Sequence, residues 1–222
     1  MVFIRYEEAL PYQLQDVLNR TPIAYVPWGA LEWHGEHLAL GQDALKVERI
    51  CELAAERTGG VVLPIMYTGY KTMQIFGMPY TLEFSDTIVR QTAIELLQQL
   101  EKAGFKCIVL LLGHYGTRHV KTIDEAVEEY RKVGKAKVIA APEFVFAKDL
   151  GYSGDHAGKW ETSIFWYLRP ELVEMDRLPK DLNIPLKGVG GDDPRIHASK
   201  ELGERVIKEI VEKLTKLVND SL

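Results

Sequence analysis

The chain has 222 residues, enough for one large domain or two small ones, and its 46% hydrophobic content is typical of a globular protein with a substantial core. Its formal net charge of −5 argues against a nucleic-acid-binding protein and against the polybasic surface that binds anionic membranes. The two cysteines, Cys51 and Cys107, stand far apart in apolar surroundings, which predicts buried reduced thiols rather than a disulfide or a cysteine zinc site.

The N-terminal segment MVFIRYEEALPYQLQDV lacks the apolar region and the cleavage-site pattern of a secretory signal. No run in the sequence reaches the roughly 20 apolar residues that a membrane-spanning helix needs. We therefore expect a cytoplasmic protein that does not enter the membrane.

Four short apolar runs without alternation predict strands that are buried on both faces. These runs lie at 22–28, 61–67, 107–113 and 137–143. Helical patterns lie at 44–59, 85–105, 120–134 and 199–218. The alternation of strands and helices predicts βαβ units, and thus an α/β fold with a mainly parallel central sheet covered by helices.

The segment 180–199 is the longest stretch rich in glycine, proline and aspartate. We interpret it as a loop over the surface or the active site and not as a domain linker. The sequence contains no internal repeat and no low-complexity tract. We therefore predict a single domain over 1–222.

Side chains of metal-ligand type follow the first and third predicted strands. The stretch GALEWHGEHLALGQDAL contains Glu32, His34 and Asp43, and His114 comes directly after LLLG. Glu32 and His34 are one residue apart, so both side chains point the same way if the segment is extended. Because ligands of an open parallel sheet bind beyond the carboxyl ends of its strands, we expect these side chains to meet at one edge.

This mixture of imidazoles and carboxylates suits zinc, manganese or another borderline divalent ion. A carboxylate can bridge two such ions, and two ions can activate water while they polarise a carbonyl. Each residue alone has a plainer explanation, with Asp43 as a helix N-cap, Glu32 as a surface carboxylate and His114 as a loop histidine. Their coincidence at two strand ends favours a metal site.

A third polar cluster lies in SGDHAGKWETSIFWYL, where Asp155, His156 and Glu161 lead into an apolar helical start. Thr162 and Ser163 are candidates for the helix cap, and Glu161 could be an ordinary first-turn carboxylate favoured by the helix dipole. Spacing alone leaves the role of this cluster open.

Three of these stretches together resemble the creatininase (creatinine amidohydrolase) family. The resemblance is carried by VPWGALEWHGEHLALGQD, LLGHYGTRH and DHAGKWETS, with weaker matches at FGMPYTLEFSD and GVGGDDPRIHASKELG. It covers most of the chain from the first predicted strand to the last helix. It implies a three-layer α/β/α hydrolase with two divalent metal ions per chain, of zinc, manganese or iron.

Carried over by position, the resemblance implies that Glu32 and His114 bind one ion, that His34 binds the other and that Asp43 bridges them. His156 matches an active-site histidine of the family that shuttles a proton. His37 belongs to the motif, either as a structural residue or as one that orients neighbouring carboxylates.

The sequence departs from creatininase itself at Gly116, where that enzyme has a metal-binding glutamate. In relatives that share this glycine, the glutamate of the His-Ala-Gly motif is the natural replacement, so we assign Glu161 as the fifth metal ligand. Thr117 replaces an asparagine found in many of these relatives, and Pro79–Thr81 reads Pro-Tyr-Thr where many have Pro-Gly-Thr. These departures bear on the substrate more than on metal binding, and they leave the roles of His37, Thr117 and His119 open.

The resemblance implies that a metal-activated water attacks a carbonyl of a small, cyclic substrate and that His156 protonates the leaving atom. A nitrogen leaving atom makes the enzyme an amidohydrolase, and a carbon leaving atom makes it a C–C hydrolase of a cyclic polyketone derived from inositol. A non-catalytic metal-binding oligomer is the alternative from another class. Creatininase relatives form hexamers, which predicts a homo-oligomer, and TMQIFGMPYTLEF could equally supply an interface or core.

Overall fold

The computed structural model describes residues 3–222, and at its centre lies a parallel sheet with the strand order β1-β3-β2-β4-β5. The strands are β1 (Ile4–Arg5), β2 (Ile23–Trp28), β3 (Val61–Val62), β4 (Cys107–Leu112) and β5 (Lys137–Pro142). β2 and β4 form the middle of the sheet, in a register that pairs Ile23 with Cys107 and Trp28 with Leu112. The two strands therefore end side by side.

The helices of the described chain are α1 (Pro11–Arg20), α2 (Gln42–Thr58), α3 (Asp86–Ala103), α4 (Thr117–Tyr130), α5 (Lys159–Leu168), α6 (Pro194–His197) and α7 (Lys200–Asn219). None of the helices within residues 3–222 combines the length and apolarity that crossing a bilayer requires.

Helices cover both faces of the sheet, because successive side chains of a strand point to opposite sides. Along β4, Val109 packs into a core shared with α2 and α7, whereas Ile108 and Leu110 pack into a core shared with α3 and α4. The α/β class, the mainly parallel sheet and the three-layer arrangement are thus confirmed. Cys51 and Cys107 are buried free thiols, as predicted.

Several predicted boundaries need correction. The strand predicted at 61–67 ends at Val62, because Pro64 has no N–H to continue the ladder; beyond it only Met66 bridges to Trp28. α4 begins at Thr117, three residues earlier than predicted, and ends at Tyr130. β1 and α1 were not predicted at all.

Candidate metal centre

The candidate centre lies at the carboxyl edge of the sheet, where the first turn of α2 packs against the ends of β2 and β4. Two glycines permit this approach. A Cβ at Gly29 would lie 2.4 Å from the backbone nitrogen of Ala44, and a Cβ at Gly113 would lie 2.0 Å from the carbonyl oxygen of Asp43. The sequence therefore brings Asp43, on a helix, between residues that follow two different strands.

The first group of potential ligands consists of Glu32, Asp43 and His114, all buried, whose donor atoms lie within 4.8 Å of one another. His114 Nδ1 is 2.7 Å from Glu32 Oε1 and 3.4 Å from Asp43 Oδ2. On its other side, His114 Nε2 donates to the carbonyl oxygen of Tyr70 at 3.0 Å. This outer hydrogen bond fixes the tautomer and leaves Nδ1 as the nitrogen that faces the carboxylates.

The second group consists of His34, Asp43 and Glu161, which are equally buried and equally close. His34 Nε2 lies 3.0 Å from Asp43 Oδ1 and 3.5 Å from Glu161 Oε2. Its Nδ1 donates to the carbonyl oxygen of Glu32 at 3.1 Å, so here too the outer nitrogen is held by the backbone. Asp43 belongs to both groups and turns one oxygen toward each imidazole.

Two buried atoms of these groups, His34 Nε2 and Asp43 Oδ2, have no hydrogen-bond partner. Unpaired buried polar atoms are costly, and these two point toward other potential ligands. Burial lowers the pKa of His34, but the carboxylates of Asp43, Glu161 and Glu32 outweigh it and raise the pKa to about 9. The three buried carboxylates thus require positive charge nearby, and the residues present fit borderline divalent cations in number, charge and donor type.

His156 belongs to a third group of potential ligands, together with Glu32 and His34. Its ring stacks on that of His34 with the centroids 4.2 Å apart, and its Nε2 donates to the carbonyl oxygen of Trp33 at 2.7 Å. Burial and the neighbouring charge of His34 lower the pKa of His156. The imidazole is therefore neutral at neutral pH, with Nδ1 as its proton-accepting nitrogen.

The structure brings together the five residues expected to be metal ligands and places His156 beside them. The plainer explanations do not apply to two of these residues. Asp43 lies inside α2 behind the N-cap residue Gly41, so it is not a helix cap, and Glu32 is only 2% exposed.

The start of α5 is capped by a different residue from those expected. Thr162 and Ser163 do not cap α5, because both lie inside it and their hydroxyls donate to carbonyl oxygens one turn earlier. Instead, the Asp155 carboxylate accepts from the backbone N–H groups of Trp160 and Glu161 in the first turn. This acceptance fits the usual preference for aspartate at helix N-termini.

Of the two roles expected of His37, its surroundings fit the structural one better than the orientation of carboxylates. His37 Nε2 lies 2.9 Å from the hydroxyl of Thr162, and within residues 3–222 no hydrogen bond or ion pair joins His37 to a carboxylate. His119 is fully buried, accepts from the backbone N–H of Tyr70 at 3.3 Å and packs edge-on against His114. His119 and His114 thus both bond to the backbone of Tyr70, His119 to its N–H and His114 to its carbonyl oxygen.

Sequence reasoning missed Lys46 and Glu143. The Lys46 ammonium is completely buried and lies 2.7 Å from Glu143 Oε1 and 2.7 Å from Glu161 Oε1. Two signals could have found them. Lys46 follows Asp43 by three residues and so shares its helix face, and Glu143 comes directly after β5 at the same sheet edge.

A cavity of about 260 Å³ opens over the two ligand groups, a size that suits a small molecule. Its lining includes Glu32, Asp43, Lys71, Met73, His114, Tyr115, Gly116, Thr117, Asp155, His156 and Glu161. The loop 180–199 reaches this region, since Gly190 exchanges two backbone hydrogen bonds with His156.

Comparison with known proteins matches one family over most of the chain. The family model described as "Creatininase: Creatinine amidohydrolase" matches residues 8–218. A curated creatinine amidohydrolase from Pseudomonas putida is 32% identical over 176 residues, which cover 70% of this chain and 68% of that protein.

Solved structures show the same fold. A structure described as "Creatininase Mn" superposes with a TM-score of 0.82 at 25% identity, over 99% of this chain and 98% of the other. A glutamate-to-glutamine creatininase variant described as "Zn-Zn type" superposes with a TM-score of 0.81 at 24% identity, over the same shares of 99% and 98%.

Proposed function

The chain belongs to the creatininase family, and we propose that it is a metal-dependent amidohydrolase that opens a C–N bond in a small cyclic amide with two divalent cations per chain. One ion would be held by Glu32, Asp43 and His114, and the other by His34, Asp43 and Glu161. Structures of similar fold are described with manganese or with zinc, and iron also suits the donor set.

The observation that carries this proposal is the position of Asp43 between two imidazoles. Its Oδ1 faces His34 Nε2 at 3.0 Å and its Oδ2 faces His114 Nδ1 at 3.4 Å. A carboxylate so placed can ligate two cations at once, each completed by one further carboxylate and one imidazole. When bound, a pair of cations lowers the pKa of water and polarises a carbonyl.

The remaining chemistry belongs to His156. Because the Trp33 carbonyl can only accept a hydrogen bond, His156 Nε2 carries a proton and Nδ1 is free to take one. Nδ1 would accept the proton of the attacking water and return it to the leaving nitrogen, a sequence typical of general acid–base catalysis. The lowered pKa of His156 suits the first of these steps.

The cavity wall at Gly116 bears on the substrate. A Cβ there would approach the carbonyl oxygen of Lys71 to 3.2 Å and His114 Nε2 to 3.4 Å, so the glycine leaves space beside the first ligand group. With this glycine and the neighbouring Thr117, we favour a cyclic amide other than creatinine. The comparisons give no support to the C–C hydrolase or to the non-catalytic oligomer.

The proposal is tested by a substrate screen with protein loaded with manganese or zinc. Cyclic amides, formamides and cyclic diketones are incubated with it, and mass spectrometry detects products that have gained one water. We expect turnover of a cyclic amide by the parent and by Glu36→Ala, an exposed carboxylate in the same segment. Asp43→Ala should lose turnover and at least one ion.

Two results would contradict the proposal. Asp43→Ala with two tightly bound ions and parental turnover would show that the carboxylate does not bridge. Hydrolysis of a cyclic diketone, with no amide turned over, would favour the C–C hydrolase instead.

A further inference from the structure

A lysine ammonium that is completely removed from water lies beside the second ligand group. Lys46 is 0% exposed, and its Nζ lies 2.7 Å from one oxygen of Glu143 and 2.7 Å from one oxygen of Glu161. A buried ammonium is costly unless it is paired, and removal of one partner of a buried pair is strongly destabilising. The position of Lys46 is therefore closely specified by these two carboxylates.

Asp43 and Lys46 both lie near the start of α2 and both reach the same site. The two residues are three positions apart and lie on one helix face. Asp43 reaches His34 at 3.0 Å, and Lys46 reaches Glu161 at 2.7 Å. One rigid element thus sets the distance between the shared carboxylate and the residue that holds the last ligand.

The two carboxylate oxygens of Glu161 have four close contacts, and the contacts of Oε1 differ in kind from those of Oε2. Oε1 accepts from Lys46 and from the hydroxyl of Tyr115, both at 2.7 Å. Oε2 accepts from the backbone N–H of Ala157 at 2.8 Å and lies 3.5 Å from His34 Nε2. Two side-chain donors therefore occupy Oε1, and Oε2 is the oxygen that faces the second ligand group.

We propose that Lys46 is a positioning residue for the second cation, which holds Glu161 by Oε1 so that this carboxylate ligates through Oε2 alone. The proposal rests on the proposed function, because it concerns one of the two ions assigned there. Without a cation, the carboxylates of Asp43 and Glu161 repel each other across a buried space. The Lys46 ammonium offsets this repulsion and keeps the ligand group assembled before the ion arrives.

Removal of Lys46 alone would leave Glu143 and Glu161 buried without their counter-ion, and unfolding for that reason would obscure any effect on metal binding. The test therefore uses Lys46→Met together with Glu143→Gln, which removes one positive and one negative charge and keeps the local net charge. Glu143→Gln alone is the matched control, because the side-chain amide keeps the shape of the carboxylate and an oxygen that accepts from Lys46, and the ion pair between Lys46 and Glu161 stays in place.

Manganese is titrated into metal-free parent, control and double variant, and the dissociation constant of each ion is measured by calorimetry alongside the circular dichroism spectrum. We expect the double variant to be folded, to bind the first ion like the parent, and to bind the second ion roughly 10- to 100-fold more weakly. The control should bind both ions like the parent.

Parental affinity for both ions in the double variant would overturn the role of Lys46 and leave the proposed function intact. Equal weakening of both ions would also overturn it, because it would mean that Lys46 acts on the fold as a whole. A parent that binds fewer than two ions would contradict the proposed function itself, and the inference with it.

Discussion

At the scale of single residues, the chemistry depends on which nitrogen of each histidine is free. Each of three histidines donates a hydrogen bond from one ring nitrogen to a backbone carbonyl oxygen. His34 bonds to Glu32, His114 to Tyr70 and His156 to Trp33. His34 and His114 then face carboxylates, which suits metal binding, whereas His156 keeps a free nitrogen beside the cavity. This difference predicts different results when the histidines are replaced.

We predict that His156→Ala retains both ions and loses about 10²- to 10⁴-fold in turnover, the usual contribution of a general acid–base residue. Metal content by mass spectrometry and turnover on the same sample check this. The exposed His197 supplies a control, and His197→Ala should change neither quantity. Loss of an ion from His156→Ala would instead make His156 a ligand, as its position near Glu32 and His34 would permit.

Glu161→Gln should weaken the second ion selectively, because the change removes a formal negative charge beside a dication. The control is Glu201→Gln in the first turn of α7, an exposed position where the helix dipole contributes only about 0.3–1 kcal/mol. Metal titration with both variants checks this. Two ions held as in the parent, at an unchanged rate, would reject Glu161 as a ligand.

At the scale of elements, the site depends on how closely α2 approaches the strand ends. Gly113→Ala would place a methyl group 2.0 Å from the carbonyl oxygen of Asp43, so either α2 or the end of β4 must shift. We predict a loss of about 1–3 kcal/mol in the free energy of unfolding, as for overpacked cores, and weaker binding of both ions.

Gly41→Ala is the control, because a Cβ there would be 3.4 Å from its nearest neighbour, in ordinary contact. Urea unfolding and metal titration compare the two variants. If Gly113→Ala is as stable as Gly41→Ala and binds both ions normally, close packing of α2 against β4 does not position Asp43.

The ends of β2 and β4 were predictable because both strands are continuous apolar runs, and the motifs that follow them are distinctive. α1 escaped prediction because it is short and Val17 is its one buried residue, so few core positions mark it in the sequence. Lys46 and Glu143 escaped because a lysine within a helix and a glutamate after a strand usually face solvent. The pair becomes visible only in the tertiary structure, where α2 packs against the segment that follows β5.

At the scale of the whole molecule, the segment 72–84 exposes several large apolar side chains. Core was one of two interpretations of this segment, but Phe76 is 67% exposed, Tyr80 76% and Ile75 55%. The core interpretation is therefore wrong for these side chains. An exposed apolar patch of this kind is typical of an interface between subunits, and the homo-oligomer stays a prediction.

Phe76→Asp should reduce the molar mass of the particle in solution, because a charge in an apolar interface is costly to bury. Light scattering with the parent and the variant checks this. Leu182→Asp, an exposed apolar position in the loop 180–199, is the control and should leave the mass unchanged. A monomeric parent, or a Phe76→Asp variant of parental mass, would contradict the prediction.

The proposed function depends above all on the sharing of Asp43 by two cations. Anomalous diffraction from crystals of the manganese-loaded protein, recorded where manganese scatters anomalously, tests it directly. The account predicts two peaks per chain, one among Glu32, Asp43 and His114 and one among His34, Asp43 and Glu161, with a different oxygen of Asp43 at each. A single peak, or a second peak held without Asp43, would contradict it.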